Sequence, residues 1–370
     1  MAEPLKDSFG PHVPRRIAEA IVPVRPSFPV RAFLADVLDG YEDLELTQRA
    51  RQIARALHAH LPADYDEAID VLLASLGARI EGDEPSGMAT FFYAPHVFFV
   101  AEYGLEHWET SMHAQYELTQ RFTAEYSIRV FLESEPERTL ARLREWTRDP
   151  SPDVRRLVSE GTRPRLPWAP RLPRFQADPA PVLELLELLK DDASLYVRRS
   201  VANNLNDIGK DHPEVLVATC RRWLRGASEE RRWVVGHALR SAVKRGDRDA
   251  LRVLGFGEAD AAVIEGVAIE PRRPHIGDGI RISMGVRNAG ARRAAFNVDL
   301  RVHFVKANGG TSPKVFKVRV VSLRPGERAG LSKLVSLRQH TTRTHHPGLH
   351  RVEIVVNGTV HDAGSFVVVA

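Results

Sequence analysis

The feature that most restricts the fold is a helical phrase that returns along the chain, an Asp followed five positions later by Val-Arg-Arg. It reads DPSPDVRRLVSEGTRPRLPW over 149–168 and DASLYVRRSVANNLNDIGKDHP over 192–213, with a fainter echo, GASEERRWVVGHAL, over 226–239. Asp149 and Asp192 stand 43 residues apart, and Asp192 and Gly226 stand 34 apart. Helix pairs of that length cannot bury an apolar face alone, so they stack into a curved solenoid of the HEAT kind with a concave surface. A repeat that only packs needs neither a Trp after a Pro-rich turn nor an Asn-Asn-Leu-Asn-Asp run. Function is to be sought in those additions.

Around the repeats the pattern is helical from about residue 12 to about 255. IAEAIVP, VRAFLADVLDGYEDL, LTQRARQIARALHAHL and YDEAIDVLLASLGARI all place apolar residues three and four apart. Trp108 to Phe131 reads as another helix pair. After Gly257 the period changes from helical to two. GVAIEP, GIRISMGVRN, AAFNVDLRVHFVKAN, PKVFKVRVVSL, GLSKLVSL, HRVEIVVNG and GSFVVVA are Val- and Ile-rich runs separated by turns such as IGDG, NGG and RPGE. Seven short strands in that space fit an immunoglobulin-like β-sandwich without the antibody cysteine pair. The expected fold is therefore mainly α: an α-α superhelix of HEAT-like repeats over 1–257, followed by a smaller immunoglobulin-like sandwich over 258–370.

Charge divides along the same line. From Ala262 to Ala370 there are 17 Lys and Arg against 7 Asp and Glu, whereas the preceding residues carry 35 against 41. A basic sandwich joined to a mildly acidic body implies a polyanionic partner for the first and local carboxylate chemistry in the second. With a single cysteine, Cys220, no disulfide can form within the chain, and a reducing cytoplasm is expected. No run reaches the roughly 18 apolar residues of a membrane span, and MAEPLKDSFG lacks the basic-then-apolar pattern of a signal peptide. No phosphate loop, GxGxxG, GxSxG, HExxH or CxxC is present, so nucleotide-driven, serine-hydrolase and structural-zinc chemistries lack support.

Four side chains are candidates for chemistry. The loop Glu160-Gly-Thr-Arg-Pro-Arg-Leu-Pro-Trp168 is stiffened by two prolines. Its Trp168 either packs between repeats or presents its ring to something flat or cationic. Arg163 and Arg165 beside it are suited to phosphates. Adding one 43-residue period to Glu160 lands on Asn203, so NNLND forms the equivalent surface, with Asn203 and Asp207 on one helix face and a helix stop expected at Gly209. Asp207 either caps a helix or holds a water molecule or a developing positive charge. Glu125, amid the apolar neighbours of RFTAEYSIRVFL, is costly unless paired or facing a cavity. His340, His345, His346 and His350 resemble a metal cluster, but strand alternation points neighbours to opposite faces, favouring a basic hairpin edge with Arg338, Arg343 and Arg351 that faces DNA.

DVRRLVSEGTRPRLPW and YVRRSVANNLNDIGKDHP resemble the signature stretches of the AlkC/AlkD superfamily of HEAT-repeat DNA alkylation repair glycosylases. The resemblance is to the AlkC branch with an appended immunoglobulin-like domain, and TTRTHHPGLHRVEIVVNG resembles the tail of that domain. It implies excision of cationic N3-alkylated bases, 3-methyladenine and also 3-methylcytosine, by hydrolysis of the glycosidic bond, with no metal or other cofactor and without deep base flipping. It further implies that Trp168 lies against the cationic nucleotide and that Glu160 and Asp207 stabilise the sugar cation and orient water. Glu125 would complete the acidic pocket. Arg163, Arg165, Arg199 and Lys210, with the basic sandwich, would hold double-stranded DNA containing the alkylated base. The expected state is a cytoplasmic monomer with no membrane partner. The competing reading is a non-catalytic HEAT-repeat module that binds DNA or a protein.

Overall fold

In the computed structural model the described residues are 5–79, 87–257, 259–339 and 344–369. They form two compact units, one of residues 2–216 with 226–238 and the other of 217–225 with 239–370. The helices are α1 (His12–Ile21), α2 (Val30–Leu38), α3 (Leu46–His60), α4 (Tyr65–Ala74) and α5 (Ala94–Tyr103). They continue with α6 (Trp108–Thr119), α7 (Glu125–Ser134), α8 (Pro136–Trp146), α9 (Pro152–Gly161) and α10 (Pro173–Ala177). The last are α11 (Ala180–Leu189), α12 (Leu195–Asp211), α13 (Pro213–Trp223), α14 (Glu229–Arg245) and α15 (Arg248–Val253). Among the described residues, no helix is long and apolar enough to cross a membrane.

The repeat phrase sets α9 and α12. Each Val-Arg-Arg places its Val, 154 or 197, wholly inside, while the first Arg of the pair turns back to the helix start. Arg155 thus reaches Asp192 and the carbonyls of Asp149 and Pro150, and Arg198 reaches the carbonyls of Asp192 and Ala193. Of these, the Arg155–Asp192 pair joins one repeat to the next. α12 opens on Ser194, whose hydroxyl accepts from the Tyr196 amide as an N-cap should.

α12 does not stop at Gly209, as its composition suggests, but runs on to Asp211. The glycine serves packing instead: a Cβ there would lie 2.3 Å from the Leu216 side chain. Gly161 plays the same part at the end of α9, where a Cβ would lie 2.5 Å from Ile128 of α7. The first brings α12 against Leu216 at the start of α13, and the second brings α9 against α7.

On α5 His96 is 2% exposed. Burial pulls its pKa from 6.5 to about 4, against a smaller opposing contribution from a backbone hydrogen bond with Tyr93. A histidine depressed in this way supports folding above its unfolded pKa and loses that support as pH falls through the folded one. Unfolding titrations should therefore show about 3 kcal/mol lost between pH 6.5 and 4, and His96→Gln should flatten that slope. An unchanged slope would place the acid sensitivity elsewhere.

Among the described residues the second unit contains a sandwich of seven antiparallel strands. They are β1 (Ala262–Glu270), β2 (Gly279–Asn288), β3 (Ala294–Val305), β4 (Thr311–Leu323), β5 (Arg328–Ser336), β6 (Gly348–Val356) and β7 (Thr359–Val368). One sheet has the order β1-β2-β5 and the other β4-β3-β6-β7. Alternation fills the space between them with Ile280, Ile282, Val286, Phe296, Leu300, Val302, Ile354 and Phe366. Burial corrects the histidine-edge expectation. His345 and His350 are 2% and 0% exposed and pack on Phe304, with His350 stacked on Phe366, so neither faces outward. His340 and Arg343 lie outside the described residues. Arg338 is exposed, and Arg351 is paired with Glu353, which Arg301 and His303 also contact at 3.2 and 3.0 Å.

Candidate functional site

The candidate carboxylates meet in one ionic chain across α7, α9 and α12. Glu125 opens α7, Arg156 and Glu160 lie one turn apart on α9, and Asp207 and Lys210 lie near the end of α12. Arg156 Nη1 is 2.8 Å from Glu125 Oε2, and its Nη2 is 3.6 Å from Glu160 Oε1. Thr123 Oγ1 donates to Glu125 at 2.8 Å and accepts from Arg156 at 3.1 Å. Arg163 then donates from Nη1 to Glu160 Oε1 at 2.6 Å and from Nε to Asp207 Oδ2 at 2.8 Å. Ser200 Oγ closes on Glu160 Oε2 at 2.6 Å, and Lys210 Nζ on Asp207 Oδ1 at 2.7 Å.

This chain is largely withdrawn from water. Glu160, Arg163 and Asp207 are 6%, 8% and 1% exposed. Burial works against the charge on Glu160, but Arg156 and Arg163 outweigh it and hold the carboxyl below its ordinary range. Burial likewise opposes the charge on Arg156, and Glu125 and Glu160 overcome it to raise that pKa. Glu160 is therefore an ionised carboxylate at neutral pH. The three acids are matched by three cations, Arg156, Arg163 and Lys210, of which only Lys210, with 40% of its side chain exposed, reaches water freely.

Trp168 is held differently. It is 77% exposed, so it is no packing anchor, and its φ of 64° puts a non-glycine residue in the left-handed region. That conformation costs on the order of 1–3 kcal/mol and persists only where the surroundings impose it. Arg129 imposes it. From α7 its Nη1 donates to the carbonyls of Gly161 and Arg163 at 3.0 and 2.7 Å, and its Nε donates to Pro170 at 3.1 Å. The clamp thus grips the loop on both sides of Trp168. Burial brings the Arg129 pKa down to about 10, still well above neutrality. Trp168 also walls a cavity of about 360 Å³ together with Phe9, Phe91, Phe98, Phe122 and Tyr126, the last being the neighbour of Glu125.

The structure brings Glu125, Glu160 and Asp207 together and puts Trp168 on the loop that starts at Arg163. One expectation is corrected: Arg163 does not face phosphates, because it is buried as the link between Glu160 and Asp207. Arg165 is joined to Asp211, with Nε donating at 2.8 Å. Arg199 and Lys210 are at the surface. Sequence reasoning missed Arg156, Arg129 and Ser200. The available signal was a cation set in an apolar helical run, since both Arg156 and Arg129 interrupt apolar faces on which only a paired charge is tolerable.

Residues 263–370 match the family described as "Uncharacterised protein YhaZ, C-terminal Ig-like domain". The "Uncharacterized protein YhaZ" of Bacillus subtilis is 34% identical over 98% of this chain and 98% of its own length. The alkylpurine DNA glycosylase AlkC of Pseudomonas fluorescens, solved with DNA containing an abasic site analog, is 35% identical. It superposes with a TM-score of 0.92 over all of both chains. The chain belongs to the AlkC family. Its fold, helical repeats of the HEAT kind followed by an immunoglobulin-like sandwich, is the AlkC fold throughout. Apart from Glu125 and Thr123, the ionic chain of this AlkC protein lies in the two repeat phrases that carry the family resemblance.

Proposed function

We propose that this protein is a DNA alkylation repair glycosylase that hydrolyses the N-glycosidic bond of cationic N3-alkylated bases, with 3-methyladenine the main substrate and 3-methylcytosine a second one. The observation that carries this reading is the buried pair Glu160 and Asp207, bridged by Arg163, beside a loop strained to expose Trp168. It occurs in a chain 35% identical along its full length to a protein named an alkylpurine DNA glycosylase.

The chemistry suits the residues. A 3-methyladenine base is already positively charged, so it leaves with the bond electrons as a neutral molecule and needs no proton from an acid. As the bond stretches, positive charge moves to the sugar, as in glycoside hydrolysis, where carboxylates flank a similar transition state. Glu160 and Asp207 face that charge, and Asp207 orients the water whose oxygen bonds to C1′ and whose proton is released. Trp168 lies against the cationic nucleotide, a contact worth about 1–2 kcal/mol once desolvated. Glu125 adds a third negative charge toward the lesion.

The lesion is attacked at the duplex surface rather than after rotation into a deep pocket. Lys210, Arg165 and Arg199, with Arg338 and Arg351 of the basic sandwich, hold the backbone, which gives salt-dependent affinity without sequence preference. Lys210 can exchange Asp207 for a phosphate because its ammonium is at the surface, and that exchange leaves Asp207 more negative when DNA arrives. The protein acts as a monomer on chromosomal DNA in the cytoplasm.

Trp168→Ala tests the aromatic half of the site. Its loss should lower the rate of 3-methyladenine release about tenfold, the size of one desolvated cation–π contact. Affinity for undamaged duplex should change far less. The reverse pattern, weakened binding of undamaged DNA with excision intact once bound, would contradict the assignment.

A further inference from the structure

Of five tryptophans, Trp108, Trp146 and Trp223 are buried, and only Trp168 and Trp233 are exposed, the second at 40%. Trp233 does not lie loose on the surface. Its ring stacks on that of His237 at a centroid distance of 5.0 Å and an interplanar angle of 8°. His237 Nε2 is in turn 3.1 Å from Asn203 Oδ1 of α12. The indole is thus fixed by a stacked neighbour that is itself fixed to the preceding repeat.

The repeat period says what surface this is. Asn203 stands 43 residues after Glu160, and His237 stands 34 after Asn203. By the same offsets Trp233 follows Arg199 and Arg156. The helices bear out that alignment, since α9, α12 and α14 begin at Pro152, Leu195 and Glu229, 43 and 34 residues apart, and Asn203 meets His237. The polar row that begins at Glu125 and passes through Arg156, Glu160 and Ser200 therefore continues through Asn203 and His237. It ends on an aromatic plane where earlier repeats carry arginine.

We propose that Trp233 is a second aromatic contact for duplex DNA, one repeat beyond the candidate site, packing against the sugar or base edge of a nucleotide flanking the lesion. The choice of nucleic acid rests on the glycosylase reading of the neighbouring residues and on the exposed Arg199 at the equivalent place one helix earlier. An aromatic plane held rigid by stacking loses little freedom on binding and accepts any nucleotide, because every base and sugar offers an apolar surface. It adds affinity without adding an ionic contact. That difference is measurable.

Affinity of the full-length protein for a duplex carrying an abasic-site analogue should be compared at several salt concentrations for wild type, Trp233→Ala and Trp233→Phe. Trp233→Ala is expected to bind about tenfold more weakly with the dependence on salt unchanged, and Trp233→Phe to recover most of the loss. Equal affinity for Trp233→Ala and wild type would overturn the proposal. So would a loss accompanied by a shallower salt dependence, which would mean a displaced backbone cation instead. Because this is a binding measurement, it decides the role of Trp233 even if wild-type protein releases no base, a result that would overturn only the glycosylase reading.

Discussion

Asp207→Asn should leave duplex binding nearly intact and reduce release of 3-methyladenine by about 10²–10³-fold, the usual cost of removing a group that positions water and faces the developing charge. The substitution keeps the shape of the side chain, so the bond accepted from either Arg163 or Lys210 survives. What it removes is the negative charge and one acceptor. Some stability should be lost as well, because an amide NH₂ then meets a cation in a site only 1% exposed. Thermal unfolding of the variant, run beside the excision assay, separates the two effects. An excision rate within a few-fold of wild type, from folded protein, would remove Asp207 from the mechanism.

The largest expected effect on stability comes from Arg163→Ala. Arg163 is the shared partner of Glu160 and Asp207, all three being buried. Removing one member of a buried ionic cluster strands the others, at a cost of about 3–5 kcal/mol and a Tm lower by about 10 °C or more. The pH dependence gives the loss a signature. In the wild type Glu160 has a depressed pKa, so its contribution is full above the ordinary carboxylate value of about 4.3 and fades as pH falls through the folded value. Without Arg163 that depression shrinks. The stability gap between wild type and variant should therefore narrow below about pH 4.3. A gap that stays constant with pH would mean that Arg163 acts by packing alone.

Much of this site was legible before any coordinates, because a solenoid converts a fixed sequence period into spatial adjacency. The 43-residue offset placed Glu160 beside the helix that carries Asp207, and the change from helical to two-residue periodicity put the start of the sandwich just after Gly257, where β1 begins at Ala262. The partners of those acids were less legible. Arg156 finds Glu125, and Arg129 finds the Gly161, Arg163 and Pro170 carbonyls, at sequence separations that no local pattern records. Gly209 shows the opposite failure, a residue whose usual meaning is a helix end but whose role here is to admit the Leu216 side chain. His345 and His350 failed for a related reason: their charge class suggested the surface, whereas His350 on β6 and His345 in the loop before it both pack on Phe304.

The central claim is tested most directly by incubating the wild-type protein with duplex DNA treated with a methylating agent, at moderate salt and with a chelator present, and identifying the free bases released. Release of 3-methyladenine is the expected result. A protein that still binds the duplex but releases no methylated base would contradict the glycosylase reading and leave a DNA-binding module in its place.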